Sequence, residues 1–555
     1  MSAPDAAGGR TTAPALGTLR RIILYVLLFA LVALTASGVS GLLGRLFTTP
    51  DVIAFNDSSS LALDLALTLV GGPLGAVVFW ASWRLLAHPA ERRATAWGIY
   101  VSAMCITSLL TAASFGIAAV ASLAGGDTGS WMSPLATGLA WAGVWVWHRW
   151  ILGHRTRGPL ALAKVPQVLG TAVGLVIGLG SSTTALGMLF ERAIGTGGEL
   201  AVIGVPWWRA SLGLLVWAVG GILIWWWHWV REGTRKLHTT LSGVSLVVIG
   251  IGGSAILALG GAGVLLFVLL RLALDRTDPV PVLLEPAPEA LAAALLGTLS
   301  WLYHARIARG RPAPVPAAAG LAISGIVLAA AASGIGVVVN AALATGTTQL
   351  GGTDARELLL AGLSSLAIGG PLWWFTWHPT RPSDPQGRRI YLVLIFGISA
   401  VVALVTLLVI GFRLFEFMLG DAAGSGLLER VRAPLGLLVA TGLVAGYHFA
   451  LWRHARVSAP VPEAEAASGT ERKRGIREVV LVAGADAEEL ASAIRDHTGA
   501  TVTILRRQHA PGGTPGPAQL FRVLEGVEAE RVLLLAGPED SLEVIELAAE
   551  TRRRA

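Results

Sequence analysis

Three segments place tryptophan and histidine at one spacing: Trp145/His148, Trp225/His228 and Trp301/His304. Residues three apart share a helix face, so each pair is expected to form one wall of a pocket. A row of imidazoles beside aromatic walls can ligate a haem, hold a quinone head or relay protons. The competing use is an interfacial belt, because indole joins a large apolar ring to one N–H donor and sits best at the lipid headgroups. The belt is the favoured reading. Fifteen of the 20 tryptophans fall at one set of helix ends, and none of the histidines falls at the middle of an apolar run.

Other residues with chemical potential are sparse. Asp64 lies about one turn inside the end of an apolar run, and Asn340 near the end of another. An intramembrane carboxylate flags transport, yet no carboxylate falls at mid-run, so Asp64 reads as an interfacial residue. Arg413 and Glu416, at i and i+3, are spaced to pair on one helix face. Glycine, alanine and serine crowd 252–261 and 331–336, which suits close helix packing. Cys105 is the only cysteine, so disulfides and multi-cysteine metal centres are excluded. It reads as a small buried hydrophobe. No metal site and no cofactor are expected.

The elements that must position these residues follow from composition. Of 555 residues 54% are hydrophobic and 14% charged, against about 25% charged in soluble domains. Twelve apolar runs are long enough to span a bilayer as helices. They cover about 22–47, 61–86, 97–124, 131–152, 166–190, 208–230, 241–271, 289–307, 316–345, 357–377, 390–418 and 432–452. The N-terminus, every second loop and the segment after the last run hold 21 Lys and Arg, and the alternate loops hold 9. The positive-inside rule then places both termini in the cytoplasm of a multi-pass protein of the cell membrane. The runs pair into six similar units of about 65–80 residues, all entering and leaving on one side, so the repeats are parallel.

Residues 1–17 read as a disordered N-terminus, 18–456 as the membrane region and 457–475 as a Pro/Ala/Glu linker. Residues 476–555 read as a small cytosolic α+β domain. Strands are expected at 477–483, 501–507 and 532–536, a helix at 486–497 and a short helix at 518–524. Segment 542–547 reads as a returning strand or a final helix. Gly484 follows a strand without a phosphate-loop motif, and the 510–517 loop carries three prolines that remove amide donors. His497 and His509 lack metal-ligand spacing. With 12 basic and 16 acidic residues over 457–555, this part is not expected to bind nucleic acid.

The repeat units also share sequence. One opens with Arg20-Arg21-Ile-Ile-Leu-Tyr25, and another with Arg388-Arg389-Ile-Tyr391. Gly-Gly-Pro-Leu recurs at 71–74 and 369–372, while the third and fourth units lack it. In these motifs the region 18–456 resembles the bacterial family named domain of unknown function 5671, in several copies. The resemblance implies an integral membrane protein and supplies no activity or catalytic residues. The expected fold is therefore an all-α polytopic membrane protein of about 12 helices in six parallel two-helix repeats, plus the α+β domain. The expected role is a membrane scaffold or sensor in which 476–555 binds a cytosolic partner or ligand. A small-solute or ion transporter or channel is the alternative. An enzyme is not expected, since no nucleophile–base pair and no ligand set is visible. The lipid bilayer is the one partner the composition requires.

Overall fold

Continuous apolar runs with no polar face leave the backbone only one way to satisfy its hydrogen bonds in lipid, the α-helix. The computed structural model describes residues 12–47, 57–127, 129–195, 206–275, 277–346, 355–377, 385–420, 426–457, 476–484, 487–507, 520, 523–524, 527, 529–536 and 541–547. All of the expected linker 457–475 except its first residue, and the 510–517 loop, lie outside them, as does His509. Helix α1 (Thr12–Phe47) begins within the stretch expected to be disordered. Pro14 falls in its first turn, where the missing N–H costs nothing. The chain divides into a helical unit ending at Arg453 and a C-terminal unit from His454.

Six hairpins build the helical unit. They pair α1 with α2 (Asp57–Leu69) and α3 (Gly71–Leu85), then α5 (Thr95–Ala124) with α6 (Met132–Gly153), and α7 (Val165–Ile194) with α8 (Trp207–Trp226). The short α4 (Pro89–Arg93) joins the first two hairpins. The fourth runs through α9 (Thr240–Ser245) and α10 (Ser254–Leu274), then returns by α11 (Val280–Leu284) and α12 (Ala287–Arg309). The fifth pairs α13 (Pro314–Ala344) with α14 (Ala355–Thr376). The sixth joins α15 (Pro385–Met418) to α16 (Leu427–Val457) through Phe396 and Phe449, whose ring centroids lie 5.6 Å apart.

Among the described residues eleven of these helical segments are long and apolar enough to cross a membrane. The twelfth expected span, 131–152, is the 22-residue helix α6. At about 1.5 Å per residue it is long enough, and it packs against α1 and α5 like its neighbours. Its four tryptophans, His148 and Arg149 separate it from the other eleven in apolarity.

One packing rule joins the hairpins. The first helix of each packs on the second helix of the next: α1 on α6, α5 on α8, α7 on α12 and α10 on α14. The fifth junction follows suit, because a Cβ added at Gly336 on α13 would meet the Gly436 carbonyl of α16 at 3.1 Å. The rule leaves α2–α3 without a predecessor and α15 without a successor, and they are the least buried spans, 11% of residues against 39% for α13. Inside the hairpins glycine sets the approach. A Cβ at Gly178 would lie 2.8 Å from the Ile222 amide nitrogen of α8, and one at Gly369 would lie 2.8 Å from the Val327 carbonyl of α13. Small residues allow such contact where lipid supplies no hydrophobic drive. The Gly-Gly-Pro-Leu motif is therefore a packing device: Gly71 faces Thr35 of α1 as Gly369 faces α13.

Charged residues collect at two ends. At one, both Arg21 guanidinium donors reach Glu91 at 2.8 Å. Arg92 caps the Arg155 and Gly158 carbonyls at 3.1 Å, and Arg311 donates to the Leu237 and Arg235 carbonyls. The loops that follow the first and second hairpins thus meet, as do those that follow the third and fourth. The hydrogen bonds from Arg21 hold the Glu91 carboxyl below its ordinary value, against a smaller opposing effect of burial. At the other end Arg45 bridges Asp64, Arg271 bridges Asp275 and Asp278, and Arg413 bridges Glu416 at 2.9 Å.

The C-terminal unit is a four-stranded sheet in the order β2-β1-β3-β4. Strands β1 (Glu478–Ala483), β2 (Thr501–Arg506) and β3 (Arg531–Ala536) are parallel. Segment β4 (Leu542–Leu547) is a strand antiparallel to β3, which resolves the open choice at 542–547. Helix α17 (Ala487–Thr498) crosses from β1 to β2. Val479, Leu481, Val532 and Leu534 form the core with Leu490, Ile494, Leu520 and Leu524. The alternate residues Val480, Val482, Leu533 and Leu535 point to the other face, in register with Leu505 and Ile545. That face lies outside the core cluster.

Candidate functional site

The helix ends rich in tryptophan and histidine are the most distinctive part of the helical unit. Their histidines are buried and locked. His148 donates from Nδ1 to the Val144 carbonyl one turn back, at 2.9 Å, so Nε2 accepts from the Tyr100 hydroxyl at 3.0 Å. Tyr25, Trp97 and Tyr100 stack beside it with centroids 5.3 to 5.8 Å apart. His304 repeats the lock on the Ser300 carbonyl at 2.8 Å, and His448 on the Val444 carbonyl at 2.8 Å. Nε2 of His448 is buried with no hydrogen-bond partner among the described residues, beside the rings of Trp377 and Tyr391.

His228 differs. It lies in a π-helical segment, Trp227–Arg231, and its Nδ1 donates forward to Glu232 at 2.9 Å. Glu232 also accepts from Arg149 at 2.5 Å and from the Trp227 indole at 3.2 Å. It therefore ties the second hairpin to the third. Burial alone would raise this carboxyl. The His228 hydrogen bond and charge, Arg149 and Trp227 outweigh burial and hold it below the ordinary carboxylate value.

The aromatic partners do not follow the Trp-x-x-His spacing. Trp225 and Trp229 of the third hairpin reach His304 of the fourth, at 6.3 and 5.7 Å between centroids. Tyr303, adjacent to His304, accepts from the Trp229 indole at 2.8 Å. His148 takes Trp147 and Tyr100 as ring neighbours. Trp301 instead lines a separate groove with Ile251, Pro316 and Phe375, and Trp145 is half-buried on α6. The recurring element is an aromatic residue directly before histidine: Trp147-His148, Trp227-His228, Tyr303-His304 and Tyr447-His448. That dipeptide was the stronger signal in the sequence.

The histidine ring packs against the first helix of its own hairpin at a fixed place. Tyr100 fills it in the second hairpin and Tyr391 in the sixth. Gly170 does so in the third and Gly250 in the fourth, where an added Cβ would come within 2.6 and 2.9 Å of the imidazole. Gly250 sits in a second π-helical segment, Leu246–Gly253. Such irregularities gather at functional positions.

Asp64 and Asn340 lie apart from these ends. The Asp64 carboxylate is 3.5 Å from Arg45 and faces Gly41 of α1, so it forms an ion pair between the two helices of the first hairpin. Asn340 is half-buried on α13, and its Oδ1 has no partner among the described residues. Glu232, Glu91, Tyr100 and Arg311 were not singled out by sequence, since each gains its role from a partner more than 40 residues away. Among the described residues no group of three His, Cys, Asp or Glu is placed to hold a metal ion.

A family model described as a domain of unknown function matches the chain twice, over 21–147 and 315–443. Each match covers two hairpins, the first and second or the fifth and sixth. The central hairpins lie outside both matches, in keeping with their missing Gly-Gly-Pro-Leu step. No curated protein and no solved structure matches the chain. The model of the domain of unknown function DUF5671 is thus found twice, each match stopping just short of a buried histidine, His148 or His448, and this is consistent with a repeated domain in a chain with many membrane-length apolar helices.

Proposed function

We propose that the protein is a scaffold or sensor of the cell membrane, with both termini in the cytoplasm, whose domain at 476–555 engages a cytosolic protein or ligand. The apolar face of that domain's sheet that no described helix covers carries the reading. Leu505 is 52% exposed, Ile545 38% and Leu547 37%, next to Val480, Val482, Leu533 and Leu535. A parallel sheet is ordinarily covered on both faces, and an apolar patch of this kind marks an interaction surface. The helical unit supports an anchoring role over transport, because its described carboxylates gather at helix ends and most have an arginine partner. The reading assigns no catalysis.

The test uses the full chain in its native membrane, with a photo-crosslinking amino acid at position 505. A discrete soluble partner should crosslink, and Ile545→Lys with Leu533→Glu should abolish the band while the protein still reaches the membrane. An unchanged crosslinking pattern in that variant refutes the reading. A reporter fused after residue 456 should report cytoplasm; an external signal refutes the orientation.

A further inference from the structure

A groove of 290 Å³ runs between α7, α8 and α12 at the junction of the third and fourth hairpins. Its deeper walls are aliphatic and small: Gly174, Gly178, Leu179, Ile222, Leu296 and Leu299. At the histidine end the lining changes to Trp225, Ser300, Tyr303 and His304. The order is that of an amphiphile, with an apolar tail slot leading from a polar end.

The polar end has a specific hydrogen-bond inventory. The Trp225 indole N–H is buried and has no partner among the described residues, which is costly for a donor shielded from water. Tyr303 accepts from Trp229, which leaves its own hydroxyl proton to donate. His304 commits Nδ1–H to the Ser300 carbonyl, so Nε2 of the neutral ring is an acceptor. The end therefore presents two donors and one acceptor, walled by flat rings: Trp225 and Tyr303 lie 5.9 Å apart at 70°.

Among the described residues no arginine, lysine or carboxylate lines the groove. A phosphate headgroup finds no charge partner there, whereas a flat neutral head with carbonyl oxygens meets two N–H and O–H donors. We infer that this groove binds an isoprenoid quinone, with a ring carbonyl on the Trp225 N–H and the tail along Gly174 and Gly178. The quinol form suits the same walls, because its hydroxyl can donate to His304 Nε2. The site is independent of the partner of the soluble domain.

The probe is menaquinone-4, titrated into nanodiscs holding the full chain and quantified by mass spectrometry on re-isolated protein. Wild type should saturate near one quinone per chain, and excess short-tailed naphthoquinone should displace it. Trp225→Phe keeps the ring and deletes the donor, and should weaken binding about fivefold to tenfold. Ser182→Phe fills the far end of the slot and should abolish binding without touching the polar end. Non-saturating uptake that follows the lipid content overturns the inference. So does saturable binding that both variants leave unchanged, or retention of a phospholipid in place of the quinone.

Discussion

Replacing Tyr100 by phenylalanine deletes one oxygen from the most enclosed cluster of the helical unit. Tyr100 is 3% exposed and His148 0%, so water cannot replace the lost donor. The ring is kept, and no cavity larger than a hydroxyl appears. The cost is the net hydrogen bond plus a stranded Nε2 acceptor, about 1–3 kcal/mol. Cys105, the chain's single cysteine, lies in the same cluster with Tyr25, Trp97 and Met104 and is 1% exposed. Its alkylation by a membrane-permeant maleimide reports opening of the second hairpin. When opening and closing outpace labelling, the rate follows the open population. At about 1.4 kcal/mol per tenfold, Tyr100→Phe should speed labelling roughly 5- to 150-fold. Tyr391→Phe is the control, since its hydroxyl meets Ser324 at 3.3 Å rather than histidine. It should leave Cys105 unchanged. If Tyr100→Phe labels within twofold of wild type while Trp97→Ala labels fast, the lock on His148 contributes nothing and the reasoning fails.

Three further outcomes are expected. The Glu91 carboxyl, held low by Arg21, stabilises above its ordinary value of 4.5 and loses that contribution as pH falls through its lower native value. Thermal melts from pH 6 to 3 should therefore show an acid loss that Arg21→Gln flattens, and parallel curves would contradict it. Glu232→Ala strands the buried His228 donor and should cost about 1–3 kcal/mol, more than Glu232→Gln, which keeps one acceptor; equal melting shifts would contradict the node. Gly178→Leu puts a side chain into the Ile222 backbone and should prevent α7 and α8 from closing, read as loss of the monodisperse peak on gel filtration. A normal peak and melting temperature would refute the close crossing.

Much of the architecture was legible because bilayer chemistry writes it in single residues. Apolar length marks the spans, and arginine marks their ends. Even α6, the span that fails on apolarity in the structure, is read from its apolar run at 131–152. What stayed hidden depends on partners distant in sequence. Glu232 reads as one loop acid until Arg149 and His228 arrive. Trp225 reads as a partner of His228 by spacing, and the packing rule hands it to His304. The π-helical stretch Leu246–Gly253 carries no local signature beyond its glycines, because the shift that presents Gly250 to His304 is decided by the neighbouring helix. In the C-terminal unit the apolar strands were legible, yet only the position of α17 reveals which face is covered among the described residues.

The repeated junction between hairpins has a mechanical consequence. In an array where each unit meets mainly its neighbours, stability is a sum of unit and junction contributions rather than one cooperative total. A force applied at the C-terminus should therefore extract the sixth hairpin without disturbing the first. The trace would step through the chain pair by pair, each rupture reporting one junction. The two matched ends would then leave the membrane at distinct moments, though built to one pattern, because only one of them still has a neighbour to hold it.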